Sequence, residues 1–340
     1  MIQRLGNFAI TLLWLGVHGS QAFGQGAPTT ILTIDVENVV EYQGDIPDPT
    51  KFGTNPGITP ANGAGVFSAE VVIGDIVSVN GQPAKGVYVG RPVGLLLTPT
   101  PKPRQSIADT THASLRSHTF EILKIDGTPV GTIMSSGLDA GLPPPGAPSN
   151  PVATRGDFTI NGGTGAFLGA RGELVQRQQA LESIPPRAAS ISEDPANRRI
   201  NGGGRIRFFL HVIPMSAPQI VNTPQGPAVT HAGDFTLVSE SQPAAAGEVL
   251  SLFATGLGPT VPGVDPGQPF QASPLAAVNS PVDVTVNGES AEVLSATGLS
   301  GAVDGYQVNF RVPPDTAKGP AIIQVRSAWI ASVPVSIAVQ

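Results

Sequence analysis

The chain contains no cysteine. Disulfides, thiol catalysis, iron–sulfur clusters and cysteine zinc sites are therefore excluded. Charge is scarce as well: Asp, Glu, Lys and Arg make up 13% of the 340 residues, against about 25% in an average domain. The net charge of −6, with no basic stripe, argues against nucleic acid and anionic lipid as partners. No His-Glu-x-x-His and no Gly-x-Ser-x-Gly occurs, so zincin and serine-hydrolase signatures are missing. No cofactor and no metal is expected. Beyond the N-terminus no apolar run approaches the length needed to span a bilayer.

What the chain does have is turns. Gly and Pro number 41 and 34, roughly double their usual share. Hydrophobic residues still make up 40%, enough to bury cores. Few charges, few strong helix formers and many turn residues predict an all-β protein.

Residues 1–24 read as an export signal. Arg4 supplies the positive start, Phe8 to Val17 a short apolar core, and Ser20-Gln21-Ala22 or Ala22-Phe23-Gly24 the small residues for cleavage. The expectation is a secreted or cell-surface protein with no membrane span after cleavage.

Residues 25–217 alternate β patterns with long Gly/Pro loops. Strands are predicted at Ile31–Val40, Val66–Val79, Val87–Leu97, Phe120–Ile125, Val130–Ser135, Phe158–Ile160, Glu173–Gln176 and Arg205–Ile213. In the second, Phe67, Ala69, Val71 and Ile73 share one face. Asn80-Gly81 and Asp126-Gly127 are hairpin turns, since both central positions favour positive φ. Proline clusters at 47–60, 98–104 and 143–151 mark loops, and 178–199 reads as an insertion with at most one helical turn. Antiparallel strands, some apolar on both faces, predict a closed antiparallel β-barrel. Pro214 to Pro218 is the linker. Residues 218–340 then hold seven short strands and the turn Asn287-Gly288, which predicts an immunoglobulin-like β-sandwich.

The run Gly156–Gly172 carries Gly162, Gly163, Gly165, Gly169 and Gly172. A dinucleotide loop needs a helix behind it and its third glycine one place earlier, where Leu168 stands. The run reads instead as a tight corner between two late barrel strands. Arg205, Arg207 and His211 share a face of the last strand, and Arg171 follows the glycine corner. If luminal or at the rim, these four form a cationic ligand site; if outward, they are a solvated surface.

His112, His118 and His211 could meet as a metal trio only through barrel closure, and lone strand histidines are more often satisfied locally. Ser135-Ser136 and Ser300 lie near glycines, as turn serines do. Asp45, Asp48 and His231-Ala-Gly-Asp234 could approach calcium but read as turn formers, and Glu182 and Glu193-Asp194 fall in the insertion.

Two resemblances bear on this reading. Pro243–Glu248, Leu252–Pro259, Val284–Gly288 and Gly305–Pro313 give residues 218–340 a resemblance to the Solibacter-type C-terminal domain. It implies an immunoglobulin-like sandwich and export, and no activity. Phe158–Gly172 and the turn Ile125–Gly131 resemble the late hairpins of the dirigent and allene oxide cyclase barrel superfamily. That resemblance implies a lumen that guides or shapes a reactive substrate; it brings over no pocket residue. Together these readings give an all-β protein: a dirigent/allene oxide cyclase-like barrel followed by an immunoglobulin-like sandwich. The function expected is non-catalytic binding of a small apolar or carbohydrate ligand, or surface interaction. The alternatives are a barrel-lumen cyclase or isomerase and a structural envelope or matrix component.

Overall fold

The computed structural model describes residues 30–44, 69–95, 113–138, 157–178, 184, 186–190, 193–265 and 267–340. The export segment, the proline clusters at 47–60, 98–104 and 143–151, and Asp45, Asp48, His112 and Glu182 lie outside them. Among the described residues no helix is long and apolar enough to cross a membrane.

Eight strands form the barrel: β1 (Thr30–Gly44), β2 (Ala69–Val79), β3 (Lys85–Leu95), β4 (Ala113–Leu123), β5 (Pro129–Leu138), β6 (Asp157–Gly165), β7 (Arg171–Gln178) and β8 (Gly204–Ile213). Each pairs antiparallel with the next, and β1 pairs with both β2 and β8, so the ring closes. The pleat sends alternate residues to opposite faces. In β8, Ile206, Phe208, Leu210 and Val212 are buried while the residues between them face out. An eight-stranded lumen is just wide enough for side chains to fill. Here Tyr88, Phe120, Phe208, Ile133 and Leu210 fill its middle, all fully buried.

On β2 the inward face is Val72, Gly74 and Ile76 rather than Val71 and Ile73. The apolar run 71–73 is continuous, so alternation alone does not choose a face. Register with a bulged β1, where Asn38 takes φ 52°, makes the choice.

The glycine run occupies the end of β6, the turn 166–169 and the start of β7. Gly165 has φ 61°, and a Cβ there would stand 2.4 Å from the Val130 carbonyl oxygen. At Gly172 a Cβ would stand 1.9 Å from the His211 oxygen. Close backbone approach is what these positions require. Gly162 and Gly163 lie within β6, and Gly169 closes the turn with φ 71°.

The two ends of the barrel differ. At one end β2–β3, β4–β5 and β6–β7 are joined by short turns. That floor is covered by the second half of the chain. Trp329, 5% exposed, packs into the barrel core with Ala328 and Ile330. Its indole Nε1 donates to Gln82 Oε1 at 2.8 Å, and Gln82 Nε2 donates to Asp283 Oδ2 at 3.1 Å. Asn279 Nδ2 donates to the Pro129 carbonyl at 2.6 Å. The far end is formed by the last described residues of β1, β3, β5 and β7 and the first of β2, β4, β6 and β8.

The second half forms an eleven-stranded sheet around its own core. Its central order is Val249–Thr255, Gly305–Arg311, Glu289–Gly298, Val282–Val286 and Gly319–Ser327. The Asn287 side chain accepts from Ile322 N at 2.8 Å, as Asn80 in the barrel accepts from Thr33 N at 2.7 Å. Each turn asparagine thus adds a rung to a neighbouring strand.

Replacing Trp329 by Ala should cost about 3–5 kcal/mol, the usual penalty for emptying a buried Trp site. Urea unfolding checks this. A loss confined to the second sheet, with barrel probes unmoved, would show that the floor does not depend on Trp329.

Candidate functional site

The residues that point into the lumen change character along its axis. From the floor upward they run Leu32 then Ile34 on β1, Val212, Leu210 then Phe208 on β8, and Ile122 then Phe120 on β4, all apolar. Towards the far end, opposite the floor, the inward positions become polar. His118 and Arg116 continue the inward face of β4, which begins with Ile122 and Phe120. Ser135 lies directly across from His118 on β5, and Ile160 across from Ser135 on β6. Glu41 sits opposite the inward Val72. Arg116 and Glu41 are each already engaged in an interaction.

His118 is 2% exposed and Ser135 also 2%. The Tyr88 hydroxyl and His118 Nδ1 share a hydrogen bond of 2.9 Å. Aromatic rings enclose the imidazole: Phe158 meets it edge-on at 4.6 Å between centroids, Tyr88 stacks at 5.9 Å and Phe208 lies at 6.1 Å. Gly90, opposite His118 on β3, makes room for this pair, since a Cβ there would stand 2.4 Å from the Tyr88 hydroxyl. The Ser135 hydroxyl is buried with no hydrogen-bond partner among the described residues.

The sequence-predicted site residues lie elsewhere. Arg205, Arg207 and His211 alternate with the buried Ile206, Phe208, Leu210 and Val212, so they stand on the outer face of β8 and not in the lumen. Arg205 pairs with Glu37 at 2.9 Å. Arg207 grips Asp35 with two bonds of 2.6 and 3.0 Å, and Ser78 donates to the same carboxylate at 2.7 Å. Burial raises Asp35, but these hydrogen bonds outweigh it and its pKa falls below the ordinary value. Arg171 is exposed and donates to the carbonyls of Asn161 and Ala170 at 3.3 and 3.2 Å. A trio of His118 and His211 with a third histidine does not form, because the two lie on opposite faces of the barrel wall. Among the described residues no group of three metal-ligating side chains converges. His231 pairs with Glu248 at 2.5 Å, and Asp234 accepts from Thr236 in a local turn.

A second buried charge cluster sits on the outer wall. Asp75 of β2 is held by Arg198, by Arg199 at 2.8 and 2.9 Å, and by Asn38 at 3.0 Å. The arginines belong to a segment that packs against β1. It runs from a short strand, Arg187–Ser190, parallel to β1, to a four-residue helix, Arg198–Asn201. Arg187 and Glu193 pair within it at 2.6 and 3.0 Å. This ion cluster clamps the insertion to the barrel: Asp75, Arg187, Glu193, Arg198 and Arg199 are each in an ion pair, while Arg198 Nε is buried without a hydrogen-bond partner.

Compared with protein-family models, curated proteins and solved structures, the chain matches none.

The clamp has a pH signature. Burial would raise Asp75, but hydrogen bonds from Arg199, Arg198 and Asn38 outweigh it and bring its pKa from 3.8 to about 2. A depressed carboxylate stabilises the fold above its unfolded pKa and loses that contribution as pH falls from about 4 to about 2. Asp75→Ala should cost about 3–5 kcal/mol at neutral pH by leaving Arg198 buried and uncompensated. In acid titration followed by urea unfolding, Asp75→Asn should lack this part of the pH dependence; an unchanged profile would remove the clamp from the account.

Proposed function

We propose that this protein binds a small, mainly apolar ligand at the end of its barrel opposite the floor. One observation carries the reading: the inward polar groups Glu41, Arg116, His118 and Ser135 gather at that end of an otherwise apolar lumen, and the Tyr88 hydroxyl reaches up from the row below to His118. Burying polar groups costs free energy unless partners or function offset it, and perturbed or buried titratable groups in a barrel mouth are candidate sites. A purely structural barrel would gain by filling these positions with Leu or Val. An apolar ligand suits the site better than a sugar, since the depth below His118 is aliphatic and aromatic.

The resemblance to the dirigent and allene oxide cyclase superfamily supports a lumen site. In this reading residues 1–24 export the chain, 25–217 form the binding barrel and 218–340 form an immunoglobulin-like accessory module of the Solibacter type. The second reading is a barrel-lumen cyclase or isomerase. His118, buried and oriented by Tyr88, favours it, because an oriented imidazole can move a proton.

Native mass spectrometry of the full mature chain should find a small molecule retained and released on denaturation. Gly90→Ala, which drives a methyl against the Tyr88 hydroxyl, should reduce that retention while leaving the fold intact. A bare chain that also takes up no apolar probe would overturn the binding reading.

A further inference from the structure

The Ser135 hydroxyl is the most informative single group in the lumen. It stands in a row that runs Gly90, His118, Ser135, Ile160 across four strands. Gly90 contributes no side chain, Ile160 is apolar, and His118 and Tyr88 hydrogen-bond each other. Ser135 is 2% exposed, and its hydroxyl has no partner among the described residues. A buried hydroxyl in that state forfeits its hydration with nothing returned, so folding alone would favour Ala there.

We infer that Ser135 is the hydrogen-bond donor for a single neutral oxygen, a ketone or ester carbonyl, on a small ligand whose ring packs against Phe158 and Phe208. This rests on the binding reading above and adds the ligand's chemical class. Geometry selects the class by elimination. A sugar presents many hydroxyls, and this row offers a single hydroxyl and one imidazole among apolar neighbours. A carboxylate would bring a full negative charge to a buried layer, and the cation one row further from the floor, Arg116, is already engaged. A pure hydrocarbon would leave the hydroxyl as it is. A carbonyl oxygen accepts one bond from Ser135 and keeps the rest of the molecule apolar. Phe158 and Phe208 pack on His118 beside this row, with ring centroids 4.6 and 6.1 Å from the imidazole, so the surroundings of the carbonyl are aromatic and suit an aromatic ligand.

The test uses three probes of nearly equal size on the full chain: acetophenone, ethylbenzene and benzoate, titrated by calorimetry and by ligand-observed NMR. Acetophenone should bind at least tenfold more tightly than either of the others. Ser135→Ala should abolish that preference while ethylbenzene binding persists, and the variant should unfold at the same or higher urea concentration than the parent. Equal binding of acetophenone and ethylbenzene, or tightest binding of benzoate, would overturn the carbonyl assignment and leave a barrel that binds apolar ligands. Binding of none of the three, together with an empty chain in native mass spectrometry, would overturn both. A parent preference for acetophenone that survives in Ser135→Ala would place the donor on another residue and overturn the role of Ser135.

Discussion

β1 hydrogen-bonds to β2 along one edge and to β8 along the other, and this double pairing closes the ring. Closure removes the edges that an open sheet would present. It also sets the diameter, and through it the number of side chains that fit in each layer. The bulge near Asn38 lets one long strand serve two neighbours whose registers differ. The same bulge brings Asn38 to Asp75, so the insertion is clamped at the place where β1 bends. Lumen, clamp and mouth all inherit their geometry from this strand.

The barrel spends its interior unevenly. From the floor to the layer of Phe120 and Phe208 it is packed core, and stability comes from burial in the ordinary way. Above that layer Gly90, Ser135 and Gly137 replace bulky residues next to His118 and Arg116. Small neighbours and polar groups together cost packing and gain no obvious stability. The floor shows the opposite economy: three short turns, a Trp from another part of the chain and a hydrogen-bonded Gln82 seal it. One end is sealed by apolar packing, and the other carries the polar inward groups.

Much of this architecture was legible in the residues. All eight barrel strands are announced by alternation or by a run of β-branched and aromatic residues, and Asn80-Gly81 and Asn287-Gly288 both form their turns. The site was not legible, for a physical reason. β4 was readable only from Phe120 onward, because its inward residues before that point are His118 and Arg116. A polar residue at an inward position breaks the apolar alternation by which a strand is recognised. The polar inward positions therefore hide the first half of this strand and leave its second half legible. Conversely, the outward row Arg205, Arg207 and His211 drew attention because it was charged, and its charges are met by Glu37 and Asp35 on β1. Which face of β2 turns inward depends on register with β1, which no local pattern contains.

The hairpin that delivers Trp329 has both central residues, Ala328 and Trp329, at positive φ, a conformation usually left to Asn and Gly. The chain accepts it where an indole must reach a foreign core. Synthesis runs in the other direction: the barrel strands leave the ribosome first, and domains usually fold as they emerge. This barrel must wait for a residue made long after its own last strand before its first layer is complete. Until then its floor is an open apolar mouth, and whatever holds the growing chain holds a vessel without a base.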